Sequence, residues 1–188
     1  MKPPLTESDY EAAAARLVCE VAAIKAVAEV ESGPYGGFLA DDQPVILFER
    51  HLFHRLTSGS YDSTHPDISA RTPGGYGPVR AQHARLTEAA ALNRDAALQS
   101  CSWGRFQVLG SNWRSLKYES LQQFVNAMYE SEAAQLDSFL RFVEVNGLLG
   151  ALQQRNWKAF ARRYNGANFA INHYDTKLAA AYAKFSRA

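Results

Sequence analysis

The chain has 188 residues, which is enough for one domain with one sizeable core and too few for two. Hydrophobic residues make up 47% of it and charged residues 21%, a globular composition that excludes long disordered segments. The 20 basic and 19 acidic residues nearly cancel, so no overall charge indicates a nucleic-acid partner.

Helical periodicity predicts two helices in the first part of the chain. Ser8 and Glu11 have capping-box spacing at the start of an alanine-rich run, which predicts the beginning of the first helix. A second helix is predicted over residues 20–31, and Gly33 and Pro34 are expected to end it.

The next segments alternate between strand-like, helical and polar sequence. The stretch GFLADDQPVILFE, residues 37–49, has two short apolar pieces around a turn-like ADDQ and predicts a small β-hairpin. A helix is predicted near residues 49–56, and the polar, Gly- and Pro-containing segment from Thr57 to Pro78 predicts a long loop. Further helical patterns cover residues 79–99, 121–145, 157–164 and 174–185. The expected fold is a mainly α single domain over residues 1–188, with one small hairpin.

The second predicted helix contains two glutamates with different positions on its surface. At about 100° per residue, counted from Val21, Glu29 falls near 80° and Lys25 near 40°, which predicts a solvent-exposed Lys25–Glu29 ion pair. Glu31 falls near 280°, inside the apolar stripe. That stripe is formed by Val21, Ile24, Val27 and Ala28.

Glu31 therefore has the environment of a general acid. A carboxyl group on an apolar helix face loses hydration, and at a helix C-terminus it meets the negative end of the helix dipole. Both effects raise its pKa, as proton donation near neutral pH requires. Spacing alone leaves an alternative open, in which Glu31 caps the helix end or pairs with an arginine.

Four stretches carry a resemblance to a known family. They are AIKAVAEVESG (23–33), ILFERH (46–51), ALQSCSWGRFQVLG (97–110) and ARRYNG (161–166). In this order they resemble the N-acetylmuramidase domain of phage endolysins, within the lysozyme-like superfamily of goose-type lysozymes and soluble lytic transglycosylases. The likeness runs from about Leu5 to Phe185 and implies a lysozyme-like fold, with the hairpin beside the catalytic helix.

The resemblance also implies a set of site residues. It places the catalytic glutamate at Glu31, which agrees with the helical wheel. Arg105 and Phe106 stand where the transglycosylase pattern has aliphatic residues, so the contacts expected around them are less defined. The expected substrate-binding residues are Ser32, Gln107, Tyr164 and Asn165.

The implied activity is that of a peptidoglycan hydrolase that cleaves the β-1,4 bond between N-acetylmuramic acid and N-acetylglucosamine. Glu31 would protonate the bridging oxygen, and Glu49 is the candidate second carboxylate, with a salt bridge to Arg50 or another arginine as its alternative role. Two other routes remain open: attack by the substrate's 6-hydroxyl, as in lytic transglycosylases, or water held by Gln107 or Tyr164. A non-catalytic peptidoglycan-binding module is a further alternative.

No cofactor or metal is expected, because His51 and His54 lack an accompanying ligand set. The expected partners are the glycan strands of peptidoglycan, bound by a monomer without nucleic acid or membrane insertion. The N-terminal MKPPLTESDYEAAAARL has no continuous apolar block, so no signal peptide is expected. With the family likeness, this predicts synthesis in the host cytoplasm and action on the periplasmic cell wall.

Overall fold

The computed structural model describes residues 2–32 and 35–187. Helices dominate these residues and enclose a small antiparallel sheet. In chain order the elements are α1 (Glu7–Leu17), α2 (Val21–Glu31), β1 (Ile46–Phe48), α3 (Arg50–Leu56), α4 (Gln82–Gln99), β2 (Cys101–Trp103), β3 (Val108–Leu109), α5 (Leu121–Glu130), α6 (Glu132–Val145), α7 (Leu149–Gln153), α8 (Trp157–Tyr164) and α9 (Tyr174–Phe185).

Helix α1 begins at a capping box two residues before the predicted pair. The Thr6 side chain accepts a hydrogen bond from the Asp9 N–H at 3.3 Å, and the Asp9 carboxylate accepts from the Thr6 N–H at 2.7 Å. The predicted capping box of Ser8 and Glu11 was therefore wrong. Thr6 and Asp9 have the same three-residue spacing, so the sequence alone did not distinguish the two pairs.

Helix α2 has the buried face that the wheel predicts, since Ile24 and Val27 are fully buried. The predicted Lys25–Glu29 ion pair does not form. Lys25 pairs instead with Glu7 of α1 at 2.6 Å, and Glu29 pairs with Lys184 of α9. Partners from other elements have displaced the pair within the helix.

The residues expected to end α2, Gly33 and Pro34, lie outside the described part of the chain.

The predicted hairpin is present as part of a three-stranded sheet in the order β1-β2-β3. Its two arms join at one bridge, between Phe38 and Pro44, and its second arm continues into β1. Strand β1 pairs with β2 in the register Leu47 opposite Ser102, and β2 pairs with β3. Strands of two or three residues are too short to show an alternating pattern, so β2 and β3 were not predicted.

Two of the long helical patterns are broken by a polar residue. Asn93 has non-helical angles (φ −155°, ψ 99°), and its side chain accepts a hydrogen bond from the Ala96 N–H at 3.0 Å, which restarts α4. Ser131 separates α5 from α6 and accepts from the Ala134 N–H at 3.1 Å. Both act as N-caps inside otherwise continuous helical sequence.

The segment from Thr57 to Pro78 contains no helix or strand, as predicted, but hydrogen bonds attach it to the neighbouring helices. Asp62 accepts hydrogen bonds from His54 at 2.7 Å and from Ser69 at 2.5 Å. The Arg85 guanidinium donates to the Tyr76 carbonyl at 2.6 Å, which fixes the end of the segment close to β1.

Aromatic side chains fill the core next to the sheet. Trp103 and Phe106 have no exposed surface, and the Phe106 ring stacks on Phe139 with centroids 4.8 Å apart. The Trp103 indole donates to the Leu98 carbonyl at 3.1 Å. These rings stabilise the turn between β2 and β3 and leave no aromatic face there for a sugar.

Across residues 2–32 and 35–187, no helix has both the length and the apolar character needed to cross a bilayer.

Candidate active site

A cleft of about 750 Å³ opens beside the sheet. The end of α2, the three strands, the segment before α4 and the α8–α9 region all contribute to its walls. It brings together Glu31, Glu49, Gln107, Tyr164 and Asn165, five of the six residues predicted from the sequence.

Glu31 is the last residue of α2 and lines the cleft. Part of the residue contacts solvent, but the protein around the carboxyl group is dense enough that burial raises its pKa to about 7. A hydrogen bond from the Asn165 side-chain amide to Oε1, at 3.1 Å, lowers the pKa and partly offsets burial.

Glu31 pairs with no basic residue of the described chain, and the last turn of α2 contains none. The alternative of a carboxylate paired with an arginine is therefore not what the described residues form. A desolvated carboxyl group without a counter-ion keeps its proton up to neutral pH, which is the property of a general acid.

The end of α8 supplies Asn165 and Tyr164. Asn165 caps α8 through its N–H, and its side-chain oxygen is buried without a hydrogen-bond partner in the described chain. The Tyr164 hydroxyl donates to the Phe106 carbonyl at 2.6 Å, and its ring stacks on Phe160. Burial and the nearby Glu31 charge hold the Tyr164 pKa well above its usual value, so this hydroxyl stays protonated.

Gln107 lies in the turn between β2 and β3 with a left-handed backbone (φ 48°). Its side-chain amide donates to the Gly104 carbonyl at 2.8 Å, while its side-chain oxygen has no partner among the described residues. A Cβ on Gly104 would lie 2.4 Å from the side chain of Gln135, so only glycine fits there. The turn thus holds Gln107 in a strained conformation at the cleft.

Glu49 precedes α3, where its N–H donates to the Ser100 carbonyl at 2.9 Å. Its side chain is 21% exposed, and its contact with a basic group is with His51 Nδ1 at 3.5 Å. Arg50 is not its partner, in contrast to the alternative considered from the sequence. Burial raises the Glu49 pKa, while the His51 charge and a hydrogen bond from Tyr76 lower it.

Ser32, the sixth predicted residue, does not line this cleft. Its hydroxyl donates to the Ala28 carbonyl and accepts a hydrogen bond from the Arg105 guanidinium at 2.8 Å. Both partners belong to the protein, so the hydroxyl is committed to holding the end of α2.

Other residues that line the cleft were not predicted as site residues, among them Tyr76, Asn172 and Tyr174. The Tyr174 hydroxyl makes no hydrogen bond within the described chain, and burial together with the Glu31 charge raises its pKa. Tyr174 begins α9, and the sequence analysis assigned it to a helix without a role in the site. Tyr76 is an aromatic residue flanked by glycines in GGYGP, a pattern that could have indicated a side chain exposed at the cleft.

The chain was compared with known families and structures. The N-acetylmuramidase family profile matches residues 20–186. The crystal structure of the Burkholderia AP3 phage endolysin is similar, with a TM-score of 0.92 and 42% sequence identity, over 98% of this chain and 73% of that one. No curated protein sequence gives a significant match.

Proposed function

Because the chain belongs to the N-acetylmuramidase family, we propose that it is a peptidoglycan hydrolase that cuts the β-1,4 bond between N-acetylmuramic acid and N-acetylglucosamine. The observation that carries the proposal is the uncompensated Glu31 carboxyl, with a pKa of about 7, on the wall of an open cleft. The same proposal places the activity in one domain that acts as a monomer on the glycan strands of the cell wall.

Glu31 acts first, as the general acid. Its protonated carboxyl donates to the bridging oxygen while the glycosidic bond breaks through an oxocarbenium-like state. The Asn165 amide donates to Oε1, so the transferable proton is held on Oε2. The anion formed by proton transfer is then stabilised by the Asn165 hydrogen bond.

Glu49 acts as the general base that activates water. It is a carboxylate on the same cleft, and its raised pKa makes it a stronger proton acceptor. The Tyr164 hydroxyl and the Gln107 side-chain N–H, two donors considered for holding water without a base, already donate to main-chain carbonyls. The Gln107 side-chain oxygen is left to accept a hydrogen bond from the water that Glu49 activates. This arrangement favours a two-carboxylate inverting hydrolase.

The activity of the Glu49→Gln variant and the products of the wild type together test whether Glu49 is the general base. We expect kcat to fall by about 10²-fold or more, because the glutamine cannot accept a proton from water. Mass spectrometry of fragments released from isolated sacculi should show hydrated reducing ends for the wild type. Wild-type fragments lighter by one water, with anhydro ends, together with full activity of Glu49→Gln, would instead establish a transglycosylase.

Tyr164 and Tyr174, two of the tyrosines that line the cleft, give a matched pair of hydroxyl deletions. Tyr164→Phe should cost about 1–3 kcal/mol of stability, because the buried Phe106 carbonyl loses its donor, while activity at low temperature stays near wild type. Tyr174→Phe should leave the Tm unchanged and lower kcat/KM about tenfold, since its free hydroxyl is available to the glycan. Thermal unfolding and cleavage rates check both, and the reverse pattern would contradict this division.

A further inference from the structure

Arg105 forms a buried ion pair with Glu132, the first residue of α6, on the side of α2 away from the cleft lining. The guanidinium donates through Nε to Oε2 and through Nη2 to Oε1, each at 3.1 Å, and the two side chains are 16% and 7% exposed. The remaining nitrogen, Nη1, donates to the Ser32 hydroxyl at 2.8 Å. The planar guanidinium thus joins α6 to the residue that directly follows Glu31.

The first turn of α6 also forms hydrogen bonds to other neighbouring segments of the chain. Glu132 also accepts the Gly37 N–H at 2.7 Å and the Leu5 N–H at 3.1 Å. Gln135, one turn later, accepts the Arg105 N–H at 2.7 Å and donates to the Gly37 carbonyl at 3.2 Å. The turn that carries Gln107 and the segment that follows α2 are therefore fixed to one rigid helix end.

Ser32 connects the Arg105 guanidinium to the last turn of α2. Its hydroxyl donates to the carbonyl of Ala28, which lies one turn earlier in the helix. Ala28 is buried, and its carbonyl also accepts the Ser32 N–H at 3.2 Å. Loss of the hydroxyl would remove the Arg105 contact and one of the two hydrogen bonds to this carbonyl. The turn that carries Glu31 would then be less firmly held, and a loosened turn admits water to the carboxyl group.

We propose that Arg105 is a positioning residue that acts through Ser32 to keep the Glu31 carboxyl in its dry position, and that Ser32 serves this contact and not the substrate. The inference rests on the proposed function, since it concerns the same carboxyl group.

Arg105 does not act through its charge. Burial raises the Glu31 pKa and the Asn165 hydrogen bond lowers it. The Arg105 charge is balanced by its ion pair with Glu132. The titratable groups facing Glu31 are Tyr164 from α8 and Tyr174 from α9, both neutral near pH 7, and Glu49 lines the same cleft. A change in the pH profile on removing the Ser32 contact therefore reports altered solvation of Glu31.

The test uses Ser32→Ala, Arg105→Met and the double variant, with kcat and KM measured on soluble glycan fragments across pH. Ser32→Ala should lower kcat about tenfold at pH 7 with KM unchanged, and should move the decline in activity to lower pH. The double variant should be no slower than Arg105→Met, because both changes break one contact. Arg105→Lys should recover part of the rate by keeping the pair with Glu132.

Arg16→Met is the matched control, because this arginine also forms ion pairs, with Asp137 and Glu144, but it lies at the surface and does not line the cleft. It should leave kcat and the pH profile as in the wild type. A raised KM with unchanged kcat in Ser32→Ala, an unshifted pH profile, or additive losses in the double variant would overturn the inference. Failure of the wild type to cleave any glycan would overturn the proposed function instead.

Discussion

Glu31→Gln is expected to lower the rate of peptidoglycan cleavage by about 10²–10⁴-fold, because the amide keeps the shape of the side chain but has no acidic proton to give. Burial raises the pKa of the carboxyl to about 7, so protonated Glu31 is available at neutral pH, whereas an ordinary glutamate is almost fully ionised there. Loss of turbidity of isolated sacculi, or of Gram-negative cells with a permeabilised outer membrane, measures the effect.

Glu29→Gln is the control for this variant, two residues away on the same helix. Glu29 is exposed and pairs with Lys184, so its replacement should leave the cleavage rate near that of the wild type. An inactive Glu29→Gln beside an active Glu31→Gln would reverse the assignment. Equal activity of wild type and Glu31→Gln would remove the carboxyl from the mechanism altogether.

Glu132→Ala is expected to lower the free energy of unfolding by about 3–5 kcal/mol, the range for breaking a buried ion pair. The change strands the Arg105 guanidinium and removes the acceptor of the Gly37 N–H, both in the interior. Denaturation by urea, followed by circular dichroism, measures the loss.

Glu29→Ala is the comparison for stability, because its ion pair with Lys184 is exposed, at 41% and 63% of the two side chains. It should change the free energy of unfolding by less than about 1 kcal/mol. Similar small losses in both variants would mean that Glu132 lies in a more hydrated place than the structure gives it.

Helical periodicity predicted that Glu31 lies on the apolar face of α2 because that information is local. Ile24, Val27 and Glu31 share one face of a single helix, and that face is buried wherever the helix packs. The family likeness and the mainly helical lysozyme-like fold with a small sheet are confirmed by the family match and by the similar endolysin structure.

Contacts between distant segments could not be predicted in the same way. Strand β1 pairs with β2, more than 50 residues later, and neither strand is long enough to carry a pattern of its own. The direction in which a side chain points also depends on residues that are distant in the sequence. The Tyr164 hydroxyl donates inward to the Phe106 carbonyl, and the Ser32 hydroxyl contacts Arg105. Which of two neighbouring polar residues faces the cleft is decided by packing that the sequence does not display.

The pKa of the Glu31 carboxyl is the quantity on which the account depends. Titration by ¹³C NMR, with the resonance assigned by its disappearance in Glu31→Gln, measures it directly. The expected value is about 7, with cleavage falling as the pH rises through the same range and the proton is lost. A value near 4.5, the ordinary pKa of a glutamate, would show a hydrated carboxylate with no proton to donate and would contradict the proposed mechanism.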